Sequence, residues 1–272
     1  MEMPMMDTFF IPHAMLRNSV ESTPSRPFLK SWKEEVMVRL PKPKSILIVS
    51  AHWDTCHPTV NLVHHNQTMY DYENFPAFMD ELKYPAPGAP QLAKTVKELL
   101  TKSGFENVHE DGARGLDHGA WFPLMLMYPE ADIPVCQMSV QSGKDGTHHY
   151  NIGKALSPLR SQGVLIIGSG GATNNVPPNS PPIHGPVLSW ALEFDSWLKD
   201  SLLSGRIYRH EDIIDYEKKA PHAKMAHPEP DHMYPLLVAL GSAGNGAKAE
   251  LIHQSWGRGC LSFASYRFSN NL

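Results

Sequence analysis

The stretch that decides the fold class of this chain is Ser45-Ile46-Leu47-Ile48-Val49-Ser50-Ala51-His52-Trp53-Asp54. Its first half is a short run rich in isoleucine and valine, bounded by Pro43 and by polar residues. Such a run is typical of a buried β-strand, so we predict a strand at residues 45–50. A histidine, an aromatic ring and a carboxylate follow at the end of that strand.

Further elements extend on both sides of this strand. Apolar runs predict strands at residues 133–140, 163–168 and 260–268. Apolar residues at helical spacing, with proline or glycine at the ends, predict helices at residues 27–40, 90–103, 121–128, 186–203 and 234–240. Residues 66–90 contain prolines, a glycine and several aromatic residues, which indicates a long loop. Strands that alternate with helices predict an α/β fold, a single domain over residues 1–272 with a central mixed β-sheet flanked by helices.

Composition excludes several classes of function. The formal net charge is -4 and no long run of lysine and arginine occurs, which argues against a nucleic-acid partner. No apolar stretch approaches the length of a membrane span, and the first residues lack a secretory signal, so we expect a cytoplasmic protein. Three cysteines lie far apart without a CxxC pair, which argues against a zinc ribbon or disulfide framework.

Three of the fifteen histidines stand at positions that suit a metal ion. His13 and His52 end strand-like runs, and His232 precedes a helix-like run. Ligands bind beyond the carboxyl ends of strands in open α/β sheets, so His52 and the glycine-rich segment at 168–175 predict one cleft. Imidazole is a common ligand for zinc and iron. The alternative interpretation is a scatter of surface and core histidines.

His118 is a candidate acid/base or substrate donor, because a histidine titrates near neutrality. Asp117 or the start of the following helix could orient it, and a helix-capping or core role is the alternative. The glycines at 168–171 lack the pattern of a phosphate loop and predict a close approach of the backbone to substrate or metal. A turn containing Asp145, His148 and His149 is predicted to be solvated.

Several motifs in the same order resemble one family over nearly the whole chain. They lie at residues 50–54, 82–90 (Leu-Lys-Tyr-Pro-Ala-Pro-Gly-Ala-Pro), 115–121 (Gly-Leu-Asp-His-Gly-Ala-Trp), 190–195 and 226–236. The sequence resembles the plant 4,5-DOPA dioxygenase extradiol group. That group belongs to the class III extradiol ring-cleavage dioxygenases, which are related to protocatechuate 4,5-dioxygenase.

The resemblance implies an α/β domain with one metal ion per chain, usually Fe(II), with Zn(II) in bacterial relatives. A catechol and O2 would bind at this metal, and the ring would open beside the diol. The positions that match the metal ligands are His13, His52 and His232, and three such ligands leave room for both reactants. His118 matches a pocket histidine. The residues expected to contact the aromatic substrate are Trp53, Tyr70, Asn175 and Tyr234.

Three pocket segments depart from the family pattern. Gly171-Ala172-Thr173-Asn174-Asn175-Val176 stands where the family has Ser-Ala-Thr-His-Asn-Leu, so Asn174 replaces the histidine that the family uses as acid/base. An asparagine forms hydrogen bonds but carries no proton at neutral pH. Residues 13–16 replace His-Gly-Ser-Pro, and residues 69–72 replace Ile-His-Asp-Phe.

Three functions follow as hypotheses. The first is an extradiol dioxygenase that cleaves DOPA or a related catechol, such as a caffeoyl derivative, with Asn174 orienting the substrate. The second is a non-oxidative lyase or hydrolase that uses Zn(II), because three histidines and a water form a catalytic zinc site. The third is a binding protein with a structural metal. The sequence predicts neither an oligomeric state nor a choice between iron and zinc.

Overall fold

A computed structural model of the chain describes residues 5–13, 23–71, 81–204 and 209–270. The strands are β1 (Thr8–Pro12), β2 (Ser45–Asp54), β3 (Thr59–Asn61), β4 (His109–Asp111), β5 (Val135–Val140), β6 (Val164–Gly170), β7 (Lys248–His253), β8 (Trp256–Gly257), β9 (Leu261–Ser262) and β10 (Ser265–Ser269). The helices are α1 (Arg26–Lys30), α2 (Pro90–Lys102), α3 (His118–Met127), α4 (Gly146–Leu156), α5 (Ser189–Leu203), α6 (Arg209–Ile214), α7 (Tyr216–Lys219), α8 (Ala223–Ala226) and α9 (Tyr234–Ser242).

A mixed sheet of eight strands lies at the centre, in the order β4-β3-β5-β2-β6-β1-β10-β7. The four neighbours β5, β2, β6 and β1 are parallel. Strand β10 is antiparallel to β1 and to β7, and β3 is antiparallel to β5. The predicted α/β fold, a single domain with a central mixed sheet flanked by helices, is therefore confirmed.

Strand β2 is buried on both faces. Leu47 and Val49 pack into an apolar layer with α2, α4, α5 and α9, whereas Ile46 and Ile48 pack with α1 and α3 on the opposite face. Each such side chain stabilises the fold by about 1.5–3 kcal/mol when it is fully buried. The two covered faces explain why the apolar run at 46–49 is continuous rather than alternating.

The bounds of several elements differ from their predicted ranges. The helix predicted at 27–40 is α1 followed by a separate π-helical turn at Trp32–Val36. Strand β2 continues four residues beyond the predicted end, so His52 lies within the strand rather than after it. The closing strand predicted at 260–268 is two strands, β9 and β10. Residues 72–80 of the predicted loop lie outside the described residues. No helix in the described part of the chain has the length and apolar character of a membrane span.

The prediction of a solvated turn at residues 145–149 is wrong for His149. Asp145 is exposed and caps α4 by accepting the His148 main-chain N–H at 2.9 Å. The His149 ring is fully buried and stacks on Tyr234 with 3.8 Å between ring centroids. Its Nε2 accepts the Gln141 main-chain N–H. The histidine therefore joins the helix α4 to α9 in the core.

Burial of His149 makes the metal-free protein lose stability on acidification. Burial is the main cause that lowers the pKa of His149 from 6.5 to about 3. Between these values the unfolded chain binds a proton that the folded chain does not, so the free energy of unfolding falls as the pH drops from 6.5 towards 3. We expect His149→Gln to reduce this slope by about 1.4 kcal/mol per pH unit, measured by urea unfolding.

The control for this prediction is His57→Gln, which replaces an exposed histidine. Its unfolding free energy should depend on pH as that of the wild type does. Equal slopes for the wild type and His149→Gln would contradict the prediction.

Candidate metal centre

Four histidine rings converge at the carboxyl edge of the parallel strands. His13 follows β1, His52 lies near the end of β2, and His118 is the first residue of α3. The His13 ring centroid lies 4.7 Å from that of His52, 5.1 Å from that of His232 and 5.4 Å from that of His118. The centroids of His52 and His118 are 3.8 Å apart. The structure thus brings together the three predicted ligands and His118.

Two glycines of β6 bring His232 to this edge. A Cβ on Gly170 would lie 2.2 Å from the His232 carbonyl oxygen, and one on Gly168 would lie 2.1 Å from that of Pro235. Gly170 also accepts the His13 main-chain N–H at 3.2 Å. These two glycines admit the main chain of His232, just before α9, and of Pro235, in the first turn of α9. Because Gly168 and Gly170 have no side chains, His13 and His232 approach each other across β6.

We expect Gly170→Ala to displace His232. A Cβ at 2.2 Å from a backbone oxygen requires a shift of the segment before α9. Overpacking of this kind destabilises by about 1–3 kcal/mol, and a misplaced ligand should weaken metal binding by about 10–100-fold. Thermal unfolding and metal titration measure the two effects. Gly143→Ala is the control, since a Cβ there meets no atom within 4 Å. Wild-type metal affinity in Gly170→Ala would contradict this prediction.

Hydrogen bonds outside the centre decide which ring nitrogens of His13 and His232 carry a proton. His13 Nδ1 lies 2.9 Å from Ser169 Oγ, whose own hydrogen is donated to the Gly119 carbonyl at 2.5 Å. Ser169 must therefore accept from His13 Nδ1–H. His232 Nδ1 lies 2.9 Å from an oxygen of Asp231. An ionised carboxylate only accepts, so His232 also carries its proton on Nδ1.

The remaining nitrogens, His13 Nε2 and His232 Nε2, face each other at 3.3 Å. Both are then acceptors, so no hydrogen bond joins them and their lone pairs repel. A cation between them removes this conflict. Two nitrogens bound at 2.0–2.1 Å to a tetrahedral metal would be roughly 3.3 Å apart. With His52, whose ligand atom lies within 4.8 Å of the other two, these residues fit a metal ion.

Burial favours the neutral form of His13 and of His52. It is the largest cause that holds the pKa of His13 well below its ordinary value, and the nearby His52, His232 and His118 lower it further. Burial, followed by the nearby His118 and His232, lowers the pKa of His52 to about 2. For Asp231, burial acts to raise the pKa, but the hydrogen bonds from His232 outweigh it and the net pKa is lowered. Neutral imidazole is the form that binds a metal.

Asp117 holds the main chain around His52 and does not orient the His118 ring. Ser50 Oγ donates to Asp117 Oδ1 at 2.7 Å and accepts the His52 main-chain N–H at 3.2 Å. Arg114 Nη2 donates to Asp117 Oδ2 at 3.0 Å and contacts the His52 carbonyl at 3.5 Å. Burial raises the pKa of Asp117, and its hydrogen bond from Ser50 and the charge of Arg114 oppose that rise.

Asp71 is the residue that orients His118. Its Oδ1 accepts the His118 main-chain N–H and its Oδ2 accepts Nδ1–H, both at 2.8 Å. Burial acts to raise the pKa of Asp71, but the hydrogen bonds and charge of His118 outweigh it and the net pKa is lowered. Asp71 belongs to the altered pocket segment at residues 69–72, and the sequence predicted no role for its side chain. No local pattern links two residues that are 47 positions apart.

Two predicted substrate residues are engaged in packing. The Trp53 ring is covered by the Arg114 guanidinium, 4.4 Å from the ring centroid. Tyr234 is 2% exposed, stacks on His149 and donates its hydroxyl hydrogen to the Lys144 carbonyl at 2.5 Å. Both rings therefore support the elements that carry the histidines, and their contact with the substrate stays a prediction.

The other predicted residues lie in loops near the histidines. Tyr70 is 37% exposed and its hydroxyl donates to the Leu82 carbonyl. The main-chain N–H of Asn174 donates to the Ala226 carbonyl, and the Asn175 amide also binds the end of α8. Among the altered pocket segments, residues 14–16 and 72 lie outside the described residues.

The chain is similar to known proteins over nearly its whole length. Residues 11–269 match the family model described as the catalytic LigB subunit of aromatic ring-opening dioxygenase. The chain is 54% identical to the 4,5-DOPA dioxygenase extradiol of Beta vulgaris over 97% of each chain. It is also 54% identical to that of Mirabilis jalapa, over 90% of this chain and 89% of the relative. The crystal structure of an uncharacterized Escherichia coli K12 protein matches with a TM-score of 0.74 and 30% identity, over 96% of this chain and 99% of that one. With this centre and these relatives, the chain belongs to the LigB family of aromatic ring-opening dioxygenases.

Proposed function

We propose that this protein is a metal-dependent extradiol dioxygenase that cleaves DOPA or a related catechol with O2, with residues 1–272 as one catalytic domain. The observation that supports it is the pair of acceptor nitrogens, His13 Nε2 and His232 Nε2, that face each other at 3.3 Å beside His52. Membership of a family of ring-opening dioxygenases supports the class of reaction.

His13, His52 and His232 would hold one Fe(II) ion per chain. When bound, the metal supplies the Lewis-acid and redox chemistry that allows a catechol to react with O2. Ser169 and Asp231 hold two of these rings with Nδ1 protonated and Nε2 towards the centre. Such partners orient the ligands and commonly change metal affinity by about 10–100-fold.

The remaining residues act on the organic substrate. We assign to His118 Nε2 the acceptance of a proton from a catechol hydroxyl, since the ring is fully buried beside His52 and its Nδ1–H is held by Asp71. Asn174 orients the substrate by hydrogen bonds and transfers no proton. Tyr70 and Asn175 would contact the substrate from the surrounding loops.

A non-oxidative lyase or hydrolase that uses Zn(II) is the second candidate. Asn174 favours this second candidate, because it replaces the acid/base histidine of the family. Loss of a general acid/base typically lowers a rate by about 10²–10⁴-fold, which would slow a ring cleavage that depends on this group. Three histidines with a bound water also form a hydrolytic zinc site.

Oxygen consumption distinguishes the two candidates. The protein is reconstituted with Fe(II) under anaerobic conditions and given L-DOPA or, in parallel, caffeic acid, with Zn(II)-loaded and metal-free protein as controls. Oxygen uptake that matches catechol loss, with a new yellow chromophore, supports ring cleavage. Bound iron without oxygen uptake contradicts it, and turnover of the Zn(II) form without O2 would support the second candidate.

A further inference from the structure

One carboxylate, that of Asp71, binds both the main chain and the ring of His118. The two hydrogen bonds are each 2.8 Å long and use different oxygens. The side chain of Asp71 is 15% exposed, and that of His118 is 1% exposed. These two hydrogen bonds fix the main chain of His118 at the start of α3 and also the orientation of its ring.

The loop that carries Asp71 is itself fixed against the segment before α3. Leu116 donates its N–H to the Gln67 carbonyl and accepts the Met69 N–H, each at 2.8 Å. Trp121 Nε1–H donates to the Met69 carbonyl at 2.9 Å. This backbone pairing between the loop and the segment before α3 therefore places the Asp71 carboxylate beside His118.

The contact decides which nitrogen of His118 can accept a proton. An ionised carboxylate accepts only, so the ring hydrogen lies on Nδ1, and Nε2 is the unprotonated nitrogen. His118 is the one of the four converging rings that we do not assign to the metal. Since Asn174 carries no proton, the proton transfer of the proposed reaction depends on this ring.

We infer that Asp71 is a positioning residue for proton transfer, which holds the His118 ring with Nδ1–H turned to its carboxylate and Nε2 turned to the substrate. This inference rests on the proposed ring cleavage. A proton of the catechol hydroxyl moves to His118 Nε2, the O–H electron pair stays on the catechol oxygen, and the proton later returns to the product. In this inference Asp71 acts through His118, and its Oδ2 also lies 3.7 Å from Nδ1 of His52.

The substitution Asp71→Asn tests the inference, because the amide keeps the shape but offers one acceptor instead of two. We expect kcat per bound iron to fall about 10²-fold with KM unchanged, as removal of an orienting carboxylate acts on the histidine rather than on substrate binding. We also expect 15N NMR of the metal-free protein to show His118 as the Nδ1–H tautomer in the wild type and a mixture in the variant. His118→Gln identifies the signal by its loss.

Asp145→Asn is the matched control, since Asp145 caps α4 as Asp71 caps α3 but binds no ring of the centre. It should leave kcat and the His118 signal unchanged. The inference is overturned by an Nε2–H tautomer in the wild type, which needs no variant to detect. An unchanged tautomer in Asp71→Asn, or a changed tautomer with unchanged kcat, would overturn it too. Absence of oxygen uptake in the wild type contradicts the proposed function alone, and the NMR comparison still decides where Asp71 holds the ring.

Discussion

Replacing His232 with alanine should abolish metal binding and catechol-dependent oxygen uptake. The imidazole of His232 supplies one of the two acceptor nitrogens that face each other at 3.3 Å, and its removal leaves His13 without the partner across the centre. Loss of a residue that only supports a ligand weakens binding by about 10–100-fold, so loss of the ligand should exceed that. Metal content after anaerobic reconstitution and the initial rate of oxygen uptake measure the effect.

Two variants control this experiment. His64→Ala removes an exposed histidine and should keep the metal content and rate of the wild type. Asn174→Ala should keep the metal content, because an asparagine in the loop after β6 is not among the three ligands that we propose. Full metal stoichiometry in His232→Ala would show that the ligand assignment is wrong.

Replacing Asn174 with histidine should raise the rate of catechol cleavage by about 10²-fold or more. A general acid/base contributes typically about 10²–10⁴-fold, and an amide cannot supply it. Asn174 follows closely after Gly170 and Gly171, whose backbones contact His13 and His232, so we expect a ring at this position to reach the same neighbourhood. The initial rate per bound iron, with L-DOPA and with caffeic acid, is the measurement.

Asn179→His, which replaces an exposed residue further along the same loop, is the control for this gain. It adds an imidazole to the loop at a residue with no assigned role in the centre or in substrate contact. It should not raise the rate. An unchanged rate in Asn174→His would assign the altered chemistry to residues 14–16 and 69–72 instead.

Local patterns were sufficient for most of the fold. Strand β2 was predictable because its apolar run at 46–49 is buried on both faces, and α2 because its apolar residues repeat at helical spacing between Pro90 and Gly104. The turn at 145–149 was mispredicted because its glycine and polar residues resemble a loop. The Asp145 cap is a local signal for the start of α4, whereas the contact with Tyr234 of α9 places His149 in the core.

For the candidate centre, the sequence by itself determined the fold class, the family resemblance and the four histidines that converge. The strands, the helices and each motif depend on residue types within a short stretch, and the order of several such motifs along the chain carries the resemblance and the choice of the four histidines. Only the tertiary structure decided that Asp71 rather than Asp117 orients His118, and that Gly170 admits the His232 backbone. These contacts join residues 47 and 62 positions apart. A hydrogen bond or a close approach at such separation depends on how loops and layers pack, and no local pattern encodes it.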